Sequence, residues 1–244
     1  MKKSLLLIIY VTLLLPMLLG SIAWGQVIKE ERSVIGFDRV NLKGSGKVIL
    51  TQGNSEALTV EAEKDLLLDI KTEVRGRTLY LEVKDRYWRK AHWWSSKNRI
   101  KYYITMKTVR GFSVSGSGTI ISEKIETDEL KISISGSGEI GIESLQAQDL
   151  NIRISGSGDC HLAGEVDSQD ISISGSGSYA GEYLRSDETT ARISGSGNAT
   201  VWVEKGIDVQ ISGSGKVEYR GNPEAVSFQS SGSGKVRKID GGLE

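Results

Sequence analysis

The sequence predicts an all-β protein, a single-domain right-handed parallel β-helix of roughly ten coils with about 18–20 residues per coil. Three observations lead there. The tetrapeptide Ser-Gly-Ser-Gly recurs seven times, its first serine at 115, 135, 155, 174, 194, 212 and 231. Apolar and polar residues alternate strictly on both sides of most copies, which is the signature of a half-buried strand. No interval carries the i, i+3, i+4, i+7 pattern that a helix needs.

The chain opens with Lys2 and Lys3 followed by the apolar run 4–23, and small residues at Ala23 and Gly25 mark a cleavage site before Gln26. Residues 1–25 therefore read as a signal peptide, with an uncleaved anchor as the alternative. No integral span is expected after cleavage. The remaining chain is long enough for one sizeable core. Without the leader lysines it carries 29 basic and 31 acidic side chains, a balance that excludes nucleic acid as the main partner. Cys160 is the only cysteine, so stability must come from packing and backbone ladders without an internal disulfide.

Residues 26–110 read as irregular N-terminal coils. The segment 40–50 carries Val40, Leu42, Gly44-Ser45-Gly46, Val48 and Leu50 in the register of the later repeats, with Lys43 in place of the first serine. Residues 57–63 and 77–83 supply further strands, and 99–106 resumes the ladder. The polar, aromatic stretch 85–99 interrupts them as an insertion. Subtracting it from the distance between Lys43 and Ser115 leaves space for about three coils, hence the total of ten.

Residues 111–244 form the regular part. Inward slots are expected at Phe112/Val114, Ile132/Ile134, Ile152/Ile154, Ile171/Ile173, Ala191/Ile193, Val209/Ile211 and Phe228/Ser230 before the motif. After it they fall at Ile120, Ile140, Cys160, Tyr179, Ala199, Val217 and Val236. Ile125, Leu145, Val166 and Leu184 add one apolar residue between copies. The tetrads are then the corners, placed at Gly116/Gly118, Gly136/Gly138, Gly156/Gly158, Gly175/Gly177, Gly195/Gly197, Gly213/Gly215 and Gly232/Gly234. Glycine tolerates the bent or positive-φ backbone a corner requires.

The motif invites other readings that fail on chemistry. Residues 136–141, Gly-Ser-Gly-Glu-Ile-Gly, fit a dinucleotide fingerprint, but no helix follows to receive a pyrophosphate. A calcium β-roll would need acidic ligands after each motif, and Lys216 and Lys235 stand at that position. His92 and His161 are too far apart for a recognisable metal set, so no metal or cofactor is expected. Cys160 and His161 are neighbours on a strand and point to opposite faces, the wrong geometry for nucleophile and base. Asp170 and Asp208, two coils apart with Thr190 between them and Arg153 and Arg192 nearby, look like surface ion pairs.

The insertion offers the least ordinary chemistry. Tyr87, Trp88, Trp93 and Trp94 lie among Arg89, Lys90 and other cations, a set able to stack on sugar rings or hold anionic head groups. The same rings could instead cover an exposed part of the β-helix.

With the repeats placed, the segments 37–53, 58–74, 77–83, 102–106 and 112–120 resemble the bacterial putative auto-transporter adhesin family with the head GIN domain. The resemblance implies a secreted β-helical protein and brings no catalytic or cofactor residues with it. The expected function is that of a non-enzymatic, exported envelope protein serving as adhesin or scaffold, whether periplasmic, outer-membrane-associated or extracellular. Its expected partners are a cell-surface glycan or another envelope protein, with end-to-end or side-by-side self-association. A glycan- or head-group-binding module centred on 85–99 is the second reading, and a polysaccharide lyase or hydrolase on a β-helix the third.

Overall fold

The computed structural model describes residues 26–84 and 100–239; the expected signal peptide at 1–25 and insertion at 85–99 lie outside these. Alternation becomes strand wherever the sequence shows it. In the N-terminal part these strands are β1 (Val27–Arg32), β2 (Arg39–Gly44), β3 (Lys47–Gln52), β4 (Ala57–Glu63), β5 (Ile70–Arg75), β6 (Thr78–Val83) and β7 (Lys101–Met106). One helical turn, α1 (Lys64–Leu67), follows β4. The repeats contribute β8 (Gly111–Gly116), β9 (Thr119–Gly136), β10 (Glu139–Gly156), β11 (Asp159–Gly175), β12 (Ser178–Gly195) and β13 (Asn198–Gly213). The final coil holds β14 (Lys216–Arg220), β15 (Ala225–Gly232) and β16 (Lys235–Lys238).

From β9 to β13 each strand runs almost a full turn, and the parity of its buried residues shows where it bends. In β10 the inward residues are Ile140 and Ile142, then Leu145 and Ala147, then Leu150, Ile152 and Ile154. The phase slips twice, so each coil has three sides, and Ser-Gly-Ser-Gly closes the third corner. Stacking is parallel and in register. Gly116, Gly136, Gly156, Gly175, Gly195, Gly213 and Gly232 pair in sequence, marking six consecutive turns of a β-solenoid.

The two glycines of a corner answer different constraints. The first takes a positive φ, 111° at Gly136, and a Cβ there would lie 2.7 Å from the carbonyl oxygen of Gly116 in the preceding coil. That oxygen accepts the Ser137 amide at 2.8 Å, so the approach that excludes a side chain is itself a hydrogen bond.

The expectation that both glycines serve the bend through their backbone freedom is corrected for the second of each pair. Gly118, Gly138, Gly158, Gly177, Gly197, Gly215 and Gly234 all keep out of the positive-φ region. They lie between strands, and what they supply is space for a side chain of the preceding coil. A Cβ on Gly177 would lie 2.5 Å from Cγ2 of Ile154, and one on Gly197 the same distance from Cγ2 of Ile173. On Gly215 it would lie 2.6 Å from Cγ2 of Ile193. Gly118, Gly138, Gly158 and Gly234 leave the same room for Leu42, Val114, Ile134 and Ile211. The inward residue just before one motif thus dictates the glycine that ends the next. The amide after the motif then bonds to the second glycine of the preceding coil, as in Glu139 to Gly118 at 2.9 Å and Asp159 to Gly138 at 3.0 Å.

The N-terminal part departs from the expected ten coils. Here the chain does not wind in order. β2 lies between β6 and β8, and β3 between β7 and β9, all parallel, so the rung 39–52 is slotted above one that comes later in sequence. β4 then runs antiparallel to β7 and β1, and β5 antiparallel to β6. Local pairing explains the change. Gly76, at φ 54°, and Arg77 form a tight hairpin turn between β5 and β6, which needs no crossover. The buried Asp38 fastens that hairpin to the next rung by accepting a hydrogen bond from Arg77 Nε at 2.7 Å, with Arg39 of its own rung ion-paired to it at 3.3 Å. The interior is one continuous core from Val34 to Val217, apolar except for buried polar residues such as Gln169, Ser186 and Thr189.

Replacing Gly136 by Ala should lower stability by at least about 2 kcal/mol, since the left-handed conformation alone costs L-residues roughly 1–2 kcal/mol. Ser137→Ala, at an exposed position of the same corner, should stay within about 0.5 kcal/mol. Denaturant midpoints at unchanged slope measure both.

Candidate functional site

Unequal repeat lengths create the most distinctive surface feature. From Ser174 to Ser194 is 20 residues and from Ser194 to Ser212 only 18, so β12 must lie over a shorter β13. The register shows how the excess is absorbed: Gly181 faces Val201, the next pair is Arg185 with Trp202, and Glu182, Tyr183 and Leu184 have no partner on β13. Leu184 turns into the core while Tyr183 projects outward, 60% exposed. Bulges of this kind re-aim side chains and concentrate beside functional sites.

Residues from the next two rungs meet the bulge. Arg220 on β14 donates from Nη1 to the Glu182 carbonyl at 3.0 Å, supplying a partner at the disrupted ladder. Its guanidinium lies 5.7 Å from the ring centres of both Tyr183 and Trp202. The Trp202 indole N–H donates to Glu204 at 2.9 Å, and Glu204 also meets Arg185 at 3.4 Å. Two aromatic faces with a cation between them thus form a ledge whose orientation is fixed on several sides.

The ledge is braced from inside. Tyr179 donates its hydroxyl to Gln169 Oε1 at 2.8 Å, and Gln169 Nε2 donates to Ser186 and Thr189 at 2.9 and 3.1 Å. Ser186 in turn donates to the Trp202 carbonyl at 2.8 Å. This buried network holds β11, β12 and β13 together directly behind Trp202. A Cβ on Gly181 would meet the Tyr179 hydroxyl at 2.5 Å, so that glycine leaves the space the ring occupies.

A groove of about 480 Å³ leads to the ledge. Its floor is a single outward file, Ile49, Ile121, Gly141, His161 and Ala180, in consecutive register across five strands. Small residues at Gly141 and Ala180 deepen it, and Glu123, Glu143, Glu182 and Tyr183 stand at its edge. A second groove, of about 620 Å³, crosses another side over the serine files that include Ser155, Ser174 and Ser194. There Arg192 is engaged by Asp170 at 3.1 Å.

Tyr87, Trp88, Arg89, Lys90, Trp93 and Trp94 lie outside the described residues. The strands on either side of 85–99, β6 and β7, pair with β2 and β3, which Gly44-Ser45-Gly46 joins. Cys160 is buried on the inward file, as the repeat alignment requires, and His161 is exposed. Burial pushes the Cys160 thiol pKa up, with Asp159 adding a smaller upward effect. Asp170 and Asp208 stand two coils apart with Thr190 between them. Among the described residues no group of three or more His, Cys, Asp or Glu side chains is arranged to hold a metal ion. Nor is any helix among them long and apolar enough to cross a membrane.

Residues 36–223 match the family described as "Putative auto-transporter adhesin, head GIN domain". The chain belongs to this family. It is similar to a solved putative adhesin from Bacteroides fragilis NCTC 9343, at 27% identity and a TM-score of 0.79, over 88% of this chain and 97% of that one. A putative adhesin from Parabacteroides merdae ATCC 43184 shares the fold at 19% identity and a TM-score of 0.69, over 88% and 97% of the two chains. So does a putative lipid binding protein from Parabacteroides distasonis ATCC 8503, at 23% identity and a TM-score of 0.68, over 88% and 98%. No curated protein matches the chain.

The buried thiol yields a direct test of this part of the fold. At about pH 8.5, where an ordinary thiol is half ionised, Cys160 should resist maleimide in the native protein and react promptly once denatured. Intact-mass measurement reads the difference.

Proposed function

We propose that the chain is an exported, non-enzymatic envelope protein that attaches to carbohydrate through the groove that reaches Tyr183, together with Trp202 and Arg220 beside that ring. The observation that carries this reading is the convergence of those three side chains from three successive coils, Tyr183 exposed and Trp202 and Arg220 half-buried beside it. Aromatic rings offer flat apolar faces to the C–H face of a sugar, while a guanidinium and edge carboxylates can bond its hydroxyls. The groove crosses the rungs, so it suits an extended chain of sugars better than a single ring. Membership of an adhesin-labelled family and the expected signal peptide at 1–25 support export and attachment. The ion pair between Asp170 and Arg192 favours a structural role for those outward columns over polysaccharide cleavage.

A glycan array with the purified chain, followed by titration of the strongest oligosaccharide, tests the proposal. Tyr183→Ala should weaken binding by about tenfold, the equivalent of roughly 1.4 kcal/mol and within the range of an aromatic contact, with the melting temperature nearly unchanged. Undiminished binding by Tyr183→Ala and Arg220→Ala, with loss in a variant carrying Ala at 88, 93 and 94, would transfer the contact to the connection between β6 and β7. Turnover of any glycan would overturn the non-enzymatic reading.

A further inference from the structure

The two ends of the solenoid are finished differently. At the N-terminal end the outermost strands, β1 and β5, carry Lys29, Glu30, Glu31 and Arg32, and Lys71, Glu73 and Arg75. Lys29 pairs with Glu61, Arg32 with Glu30, and Glu73 with both Lys71 and Arg75. Charged edges of this kind discourage further strand addition. At the other end β15 pairs only with β13, and Ala225–Gly232 contains no charged residue. All eight of its residues are exposed. Val226 and Phe228 occupy the inward file directly above Ile207 and Val209, which are buried, yet they remain 51% and 44% exposed. Among the described residues the core therefore continues to the last coil and stops beneath two edge strands, the uncharged β15 and the shorter β16, whose Arg237 pairs with Glu218 and whose Lys238 bonds to Asn222.

We propose that this end is a self-association surface, where two copies meet end to end through antiparallel pairing of β15 with the β15 of a second copy. A second copy fits because its end has the same cross-section, so interior meets interior and outer faces stay outside. Directly opposed residues in an antiparallel pair point to the same side. A two-fold axis at Phe228 sets the two phenylalanines against each other and Val226 against Ser230. The shared strand brings no charge against its own copy. The contact uses the same patch on both molecules, so it closes at two and leaves the charged N-terminal ends outward.

Sedimentation equilibrium of the full chain across a concentration series tests this. The expected result is a monomer–dimer equilibrium, abolished in the double variant Val226→Lys/Phe228→Lys while its circular dichroism is retained. Cysteine cross-linking gives a readout that does not depend on that variant folding. Phe228→Cys should form a covalent dimer on mild oxidation, and Ser172→Cys, on a solenoid side, should not. A monomer at every concentration, a dimer unaffected by the two lysines, absence of the Phe228→Cys cross-link, or growth past the dimer would each overturn the proposal.

Discussion

The backbone approach at the Ser-Gly-Ser-Gly corner governs the rest of the molecule. The carbonyl of each first glycine receives an amide from the next coil, and that contact leaves no space for a Cβ on the glycine above it. The second glycine yields its side-chain space to the branched residue of the coil before. Together they let consecutive coils sit at strand-pairing distance through a sharp bend, where any larger residue would push them apart. The sides need only keep their apolar alternation. That division of labour accounts for fixed corners beside sides that vary in length and chemistry.

Much of this was legible because repetition makes local chemistry visible seven times. Inward slots such as Ile132, Ile152 and Ile171 declare themselves by alternation, and the unusual occupant Cys160 could be placed by alignment with Ile140 and Tyr179. Repetition alone could not separate the tasks of the two glycines in a tetrad, because the crowding at the second, as at Gly158, comes from a residue more than twenty positions earlier. The N-terminal interleaving was hidden for another reason. Counting residues between Lys43 and Ser115 assumes that chain order equals stacking order, and the β5–β6 hairpin violates that assumption. Alternation gives strands but does not state which neighbour each will choose, or in which direction.

The aromatic ledge was missed for a related reason. Tyr183, Trp202 and Arg220 are distant in sequence, and each alone reads as an ordinary surface residue. The usable signal was the drop in repeat length from 20 to 18, which forces β12 to shed residues from the ladder near Tyr183. The buried network behind it also broke the pattern quietly. Gln169 and Thr189 stand in the file that Leu130, Leu150 and Ile207 fill with aliphatic side chains. Polar residues there are tolerated because they satisfy one another across rungs.

The order of the six turns has a mechanical consequence. Coils touch mainly their immediate neighbours, and the backbone bonds joining them lie along the solenoid axis. Tension applied at the two ends therefore loads those bonds head-on and peels the outermost coil before the next. Each coil of about 19 residues releases roughly 60 Å of contour as it opens. Under load such a body lengthens stepwise, dissipating work with every coil released while the inner ones stay intact, the behaviour of a tether.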